Sequence, residues 1–238
     1  MVRYVFQRLL QSVLVILGVS IVVFGLMFLA GDPVALLIPA EDMSKEAVEA
    51  FRRSMGFDRP VYVQYSRYLG RAVRGDLGFS YRHRQSAGEL VAERIPATLE
   101  LAFAALLVSL LIGVPVGIVA AVKRGTPYDS LSTAAAVAGN SMPVFWLGIV
   151  LILTVSVWLQ WLPASGRGGI ERLILPSLTL GAYSGSITAR LLRSSLIEVF
   201  SKEYVRTARA KGLSERVVIW RHSLKNAALP VVTVIGLQ

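Results

Sequence analysis

Long uncharged apolar runs alternate with charged segments along this chain. The first run covers residues 9–31 and the second covers residues 101–122. A helix rises about 1.5 Å per residue and a bilayer's hydrocarbon core is about 30 Å thick, so each run is long enough to cross a membrane. The first run also exceeds the roughly 7–15-residue core of a cleaved signal peptide. The pattern therefore predicts two membrane-spanning helices in these positions.

Three further apolar stretches follow. A third span is predicted from Leu131 to about Leu159, entered by a capping Thr and a first-turn Pro, and a shorter fourth span covers residues 173–189. A fifth stretch begins after Lys225 and reaches Gln238 after only thirteen residues. Either this last helix is short, or the sequence is a truncated version of a longer protein; we expect truncation.

The segment between the first two spans has a different composition. Residues 32–95 carry many charges of both signs together with turn residues, which predicts a small helical insertion outside the membrane. Ser44 can cap a helix that ends near Met55 with Gly56 after it. Tyrosines and a leucine at helical spacing within residues 62–69 predict a second helix before the loop at residues 75–78.

Charge and composition set the orientation and the class of protein. Of the 238 residues 54% are hydrophobic, and the formal net charge is +10. Nine Lys or Arg lie between residues 190 and 225, so the positive-inside rule places that segment and the N-terminus in the cytoplasm and the insertion outside. The positive-inside rule accounts for the basic charge, so no nucleic-acid partner is expected. Without cysteine and with two histidines, no metal site or cofactor is expected.

The basic segment contains a predicted helix–corner–helix. Good helix formers lead to Gly212, which can adopt a left-handed conformation, and Ser214 can cap the next helix. Small residues at Ala208, Ala210 and Gly212 would let a partner approach the backbone closely. A solvated basic loop that only fixes topology or meets anionic lipid fits the residues equally well.

The residues of this corner resemble a known family. The stretch from Tyr204 to Glu215, followed by residues 221–230, is similar to the coupling loop of binding-protein-dependent ABC permeases, in the dipeptide/oligopeptide/nickel subfamily (B-type subunit). Arg206-Thr207-Ala208 stands where the general signature has Glu-Ala-Ala, and Leu229-Pro230 lies further from Gly212 than in that signature. Residues 75–78, 94–100 and 139–146 resemble the same family.

The resemblance implies a fold and partners. It implies an all-α integral membrane protein, a polytopic transmembrane helix bundle like a type I ABC importer permease, in the bacterial inner membrane. The coupling loop, at about residues 198–225, would dock on an ATPase. The implied docking residues are Tyr204, Val205, Ala208, Ala210, Lys211, Gly212, Leu213 and Ser214. The implied partners are a second permease subunit, two ATP-binding subunits, an extracytoplasmic substrate-binding protein, a di- or oligopeptide substrate and membrane lipid.

Polar residues inside the third span suggest a translocation path. Asn140, Ser141 and Pro143 need internal partners or a water-filled cavity at membrane depth. Alternatively, Pro143 only bends the helix and Asn140 bonds a neighbouring helix. Two small-xxx-small pairs, Gly113 with Gly117 and Gly181 with Gly185, predict close helix packing.

The chain is thus expected to divide into residues 1–31, the insertion 32–95 and a permease core 96–238. No phosphate-binding Gly-rich loop is present, so the chain would be a transport subunit and not an enzyme, with ATP hydrolysed by separate subunits. A membrane enzyme would need clustered acids, His or a nucleophile at membrane depth, where only Glu100 is near. A non-transporting scaffold whose basic loop binds anionic lipid is the alternative.

Overall fold

The computed structural model describes residues 2–29, 45–80 and 83–237, which are almost entirely helical. The elements, in chain order, are α1 (Val2–Leu29), α2 (Lys45–Met55), α3 (Val61–Ala72), β1 (Phe79–Ser80), β2 (Gln85–Ser86), α4 (Ala87–Val122), α5 (Pro127–Ser141), α6 (Val144–Leu151), the π-helical segment π1 (Ile152–Trp158), α7 (Ile170–Phe200), α8 (Glu203–Ala210), α9 (Glu215–Val217), the π-helical segment π2 (Val218–Ser223) and α10 (Leu224–Ile235). The helical fold class is confirmed. The chain divides into two compact units, residues 1–94 and 95–238.

In the first unit, α3 packs on α1 through aromatic residues. The Tyr65 hydroxyl lies 2.7 Å from Ser20 Oγ, and the ring of Phe24 contacts those of Tyr65 and Tyr68. The predicted helix ending near Met55 is present as α2, and Gly56 follows it at φ +74°. Its predicted cap, Ser44, and the limits of the first span and insertion at residues 31–32 lie outside the described residues.

The insertion also contains an element that the sequence did not predict. Between α3 and α4, the antiparallel strands β1 and β2 pair Phe79 with Ser86 and Ser80 with Gln85. The loop before β1 is as predicted, because Gly75 and Gly78 adopt φ values of +85° and +87° that favour glycine.

Two of the described helices are long and apolar enough to cross a bilayer. They are residues 3–27 of α1 and the whole of α4. The predicted third span is not one straight helix, because α5 and α6–π1 meet at a bend of 99°, the geometry of a broken span or of a re-entrant loop. Met142 and Pro143 have extended ψ angles at this break, and Pro143 donates no backbone hydrogen bond.

The fourth predicted span is part of a longer helix. It is expected to end at Ala189, but α7 continues through Arg190 and Arg193 to Phe200. The predicted boundary was placed where the first charged residue, Arg190, follows the apolar stretch. Arg and Leu are good helix formers, however, so the helix continues past that point. By length and composition α7 is not among the described helices that qualify as spans.

The two glycine pairs allow close helix packing, as predicted, and the structure shows that they pack α4 against α7. A Cβ at Gly113 would lie 2.7 Å from the Gly185 carbonyl oxygen, and one at Gly181 would lie 2.8 Å from the carbonyl oxygen of Ala105. The backbones therefore touch directly. Ser109 and Thr188 lie in the same interface, with their hydroxyl oxygens 3.4 Å apart.

The buried face of α7 changes from small to large residues towards its C-terminal end. There Leu192, Leu196 and Val199 join residues from four other elements in one hydrophobic cluster. The other buried members are Ala121 of α4, Val205 and Ala208 of α8, Val218 of π2, and Ala227 and Val231 of α10. The predicted coupling loop is therefore packed directly into this hydrophobic cluster.

Candidate docking corner and ion-pair site

The chain around Gly212 has the predicted helix–corner–helix geometry. Gly212 adopts φ +75°, its N–H donates to the Arg209 carbonyl (2.9 Å), and the Leu213 N–H donates to the Ala208 carbonyl (3.4 Å). These two bonds form a Schellman motif that ends α8. Ser214 occupies the N-cap position of α9, but its side chain makes no capping hydrogen bond.

An ion pair links the two helices that flank the corner. Arg209 Nε lies 2.7 Å from Glu215 Oε1 and Nη2 lies 3.2 Å from Oε2, a bidentate arrangement that links α8 to α9. The hydrogen bonds from Arg209 lower the pKa of Glu215 below its ordinary value. The Arg209 guanidinium also lies over the Phe200 ring at 5.5 Å, so the end of α7 is tied to the same corner.

The other face of α8 is fixed to the body of the protein. The Asn226 side-chain amide donates to the Tyr204 hydroxyl at 2.9 Å, which joins α8 to α10. Val205 and Ala208 point into the hydrophobic cluster and are only 0% and 5% exposed. The helix is therefore amphipathic, with a buried apolar stripe and an exposed polar face.

The predicted docking residues consequently separate into two groups. Six of them are exposed on this chain: Tyr204, Ala210, Lys211, Gly212, Leu213 and Ser214. Val205 and Ala208 are not, so their side chains are unavailable to a partner of the chain as folded here. The resemblance implied Ala208 and Val205 as docking residues; in the structure their side chains pack in the hydrophobic cluster.

The predicted path residues lie at the bend between α5 and α6. Asn140 is half-buried, whereas Ser141 and Pro143 are exposed. The Met142 N–H still donates to the Ala138 carbonyl (3.1 Å), and the helix restarts with the Trp146 N–H bonded to the Pro143 carbonyl (3.0 Å). A backbone break of this kind persists at membrane depth only where protein or water surrounds it.

The sequence did not predict the ion pair that joins α5 to α7. Arg193 of α7 contacts both carboxylate oxygens of Asp129 in the first turn of α5, at 2.6 and 2.8 Å. The Gly125 N–H donates to the same carboxylate at 3.0 Å, and Thr133 lies 3.4 Å from it. Asp129 is only 6% exposed. The pair joins residues 64 positions apart, and neither residue lies in a motif that would have identified it.

The described residues hold no group of three or more His, Asp or Glu placed to bind a metal ion.

Comparisons with known proteins agree over the whole chain. Residues 113–238 match the family of binding-protein-dependent transport system inner membrane components, and residues 1–102 match the N-terminal model of such components. The chain is 43% identical over 239 residues to the glutathione transport system permease protein GsiC of Escherichia coli O6:H1. It is 42% identical to the proteins of that name from Escherichia coli K12 and Shigella dysenteriae serotype 1. Each alignment covers 100% of this chain and 78% of the relative.

Proposed function

The chain belongs to the family of binding-protein-dependent transport system inner membrane components, which confirms the resemblance seen in its sequence, and we propose that it imports small peptides. It is a permease subunit of an ABC importer and an inner-membrane component. The proposal is that a separate ATPase docks on the Gly212 corner and drives the transport. The contact surface would consist of the exposed residues Tyr204, Ala210, Lys211, Gly212, Leu213 and Ser214.

The observation that carries this proposal is the corner's combination of exposure and rigidity. An added Cβ at Gly212 would meet nothing within 4 Å, so the approach to this backbone is open. Beneath it, the Schellman motif, the Arg209–Glu215 pair and the buried Val205 hold the backbone in one conformation. A rigid, open corner suits a contact that must pass on a displacement, because a flexible loop would absorb it.

The membership of the family supports the remaining partners. We propose a second permease subunit, two ATP-binding subunits that hydrolyse the ATP, and an extracytoplasmic substrate-binding protein. The N-terminus and the corner would face the cytoplasm, since Lys and Arg concentrate there. The insertion, with its mixed charges, would receive the binding protein on the other side.

The proposed substrate class comes from the relatives. The proteins at 42–43% identity are named for glutathione transport, and glutathione is a small peptide. We propose a small peptide substrate for this chain, with di- and oligopeptides as the wider class. The break at Met142–Pro143 supports a path past Asn140, Ser141 and Pro143, because two of these three residues are exposed on the single chain.

Retention of the ATPase by the detergent-purified permease tests the docking corner. Gly212→Asp adds a charged side chain at the open corner, and we expect it to abolish ATPase retention. The matched control is Gly75→Asp in the insertion, since Gly75 also has a positive φ and nothing within 4 Å. Both variants carry the same backbone strain of about 1–2 kcal/mol, so a difference between them reports the surface and not the fold.

Two results would count against the proposal. Equal retention by Gly212→Asp and wild type would exclude the corner as the contact. A wild-type chain that retains no ATPase but binds vesicles containing anionic lipid, with affinity that falls as salt rises, would support the scaffold instead. Uptake of labelled glutathione and of a labelled dipeptide by the assembled importer tests the substrate class, and uptake of neither would refute it.

A further inference from the structure

We infer that Asp129 and Arg193 are positioning residues whose ion pair transmits movement of the docking corner to the break in the helix at Met142–Pro143. The inference rests on the proposed docking of an ATPase at Gly212. It assigns a role in transport to two residues that lie outside both the corner and the proposed path.

The first step is the connection between the corner and Arg193. Val205 and Ala208 of α8 are packed in the same cluster as Leu196 and Val199 of α7. Between this cluster and Arg193, α7 is one uninterrupted helix. Because a packed core resists deformation, a displacement of α8 moves the end of α7 with it.

The second step is the connection across the ion pair. Asp129 lies in the first turn of α5, and its carboxylate accepts hydrogen bonds from Arg193 of α7 and from the Gly125 N–H in the α4–α5 loop. Three segments therefore meet at one carboxylate. Movement of α7 must carry the start of α5 with it, or the bidentate pair must break.

The third step leads from Asp129 to the break. The α5 helix runs from Pro127 to Ser141 and ends where the chain bends by 99° into α6 and π1. At this end Gly139 of α5 lies against Ser186 of α7, and further along, a Cβ at Gly148 of α6 would lie 3.4 Å from a Thr179 methyl. The α7 helix thus contacts both sides of the break, and the ion pair fixes the opposite end of α5.

An ion pair suits this position better than apolar packing would. In the narrow cleft beside it, the α5 residues that face α7 are Ser132, Thr133 and Ala136, which are too small to interlock deeply with α7. Apolar contacts are non-directional, so small side chains can slide past one another. A bidentate Arg–carboxylate pair fixes both distance and orientation, and therefore resists sliding and rotation of α5 against α7.

The test measures peptide transported per ATP hydrolysed by the assembled importer in vesicles, with labelled glutathione as the probe. Asp129→Asn is nearly isosteric and can still accept the Gly125 hydrogen bond, but it removes the charge. We expect this variant and Arg193→Gln to retain the ATPase and to lower the transport-to-hydrolysis ratio by between about twofold and thirtyfold. Arg193→Lys keeps a positive charge beside Asp129 and leaves the Gly125 hydrogen bond in place, so it should recover part of the ratio that Arg193→Gln loses.

Arg8→Gln is the matched control. Arg8 donates to the Tyr4 hydroxyl at 3.3 Å one helical turn away, and both side chains are exposed, so this contact joins no two helices. Its loss should leave the ratio unchanged. An unchanged ratio in Asp129→Asn, or a ratio in Arg193→Lys no higher than in Arg193→Gln, would overturn the inference. Failure of Asp129→Asn to assemble would also overturn it, because the pair would then serve the fold alone.

These failures differ from failure of the proposed function. A wild-type importer that retains no ATPase or moves no peptide refutes the docking proposal itself. A working wild-type importer beside a fully coupled Asp129→Asn importer refutes only the role of the ion pair.

Discussion

Replacement of Gly181 by alanine should separate α4 from α7. The new methyl carbon would lie 2.6 Å from Val108 Cβ and 2.8 Å from the Ala105 carbonyl oxygen. Carbon atoms in favourable contact lie about 3.5–4.0 Å apart, so the helices must move apart by close to 1 Å. One of the obstructing atoms is backbone, and no rotamer change can remove it.

The expected loss of stability follows from two opposing effects. Overpacking of a filled interior costs about 1–3 kcal/mol, and we take the upper end because three atoms obstruct one methyl. Alanine gains up to about 1 kcal/mol over glycine in helix propensity. The net loss is about 2 kcal/mol, which corresponds to a fall in Tm of about 4–8 °C for a chain of this size.

The assay heats the detergent-purified protein and measures the fraction that remains monodisperse on size exclusion. Thiol-reactive dyes cannot report unfolding here because the chain has no cysteine. Gly148→Ala is the control, since its methyl would make an ordinary 3.4 Å contact with the Thr179 side chain and should not lower the Tm. A Gly181→Ala protein as stable as wild type, or one no less stable than Gly148→Ala, would refute the packing argument.

Two further predictions concern single polar contacts. Glu215→Gln should cost at most about 1 kcal/mol at pH 7, because its pair with Arg209 is exposed. Arg209 lowers the pKa of Glu215, so the pair stabilises the fold at neutral pH; the difference in Tm from wild type should begin to shrink near the ordinary glutamate pKa of about 4.3 and vanish only below the lowered pKa of the folded state. Tyr65→Phe should lower the free energy of unfolding by about 1 kcal/mol, because it removes the contact with Ser20, and hydrogen exchange of the α3 amides should become faster. Tyr62→Phe, at an exposed position, should leave that exchange unchanged. Equal α3 exchange rates in the two variants would contradict the prediction.

Features set by local sequence were predicted well. Gly212 ends α8, and Gly56 follows α2, because a left-handed residue after a run of helix formers is a local requirement. The glycine pairs of α4 and α7 were also recognised, since four-residue spacing places small residues on one helix face. Their partnership with each other, however, came only from the structure.

Features that depend on tertiary contacts could not be predicted in this way. The sequence shows Asp129 as one acid in a first helical turn and Arg193 as one of nine basic residues in a segment, and nothing local joins them. Pro143 indicated a bend, but its 99° angle depends on packing against α7. Likewise, the burial of Val205 and Ala208 depends on where α10 and π2 pack.

The length of α7 also determines how far the docking corner stands from the membrane. Phe200 lies seven residues beyond Arg193, or about 10 Å along the helix axis. Arg193 pairs with Asp129, which also accepts a hydrogen bond from Gly125 in the loop that follows the last apolar residue of α4. A headgroup layer adds about 5–8 Å per leaflet outside the hydrocarbon. In the proposed orientation, with the hydrocarbon ending at that loop, this extension is longer than the headgroup layer is thick. A water-soluble subunit could then approach the corner without displacing lipid, and a detergent belt that replaces the bilayer would leave it uncovered.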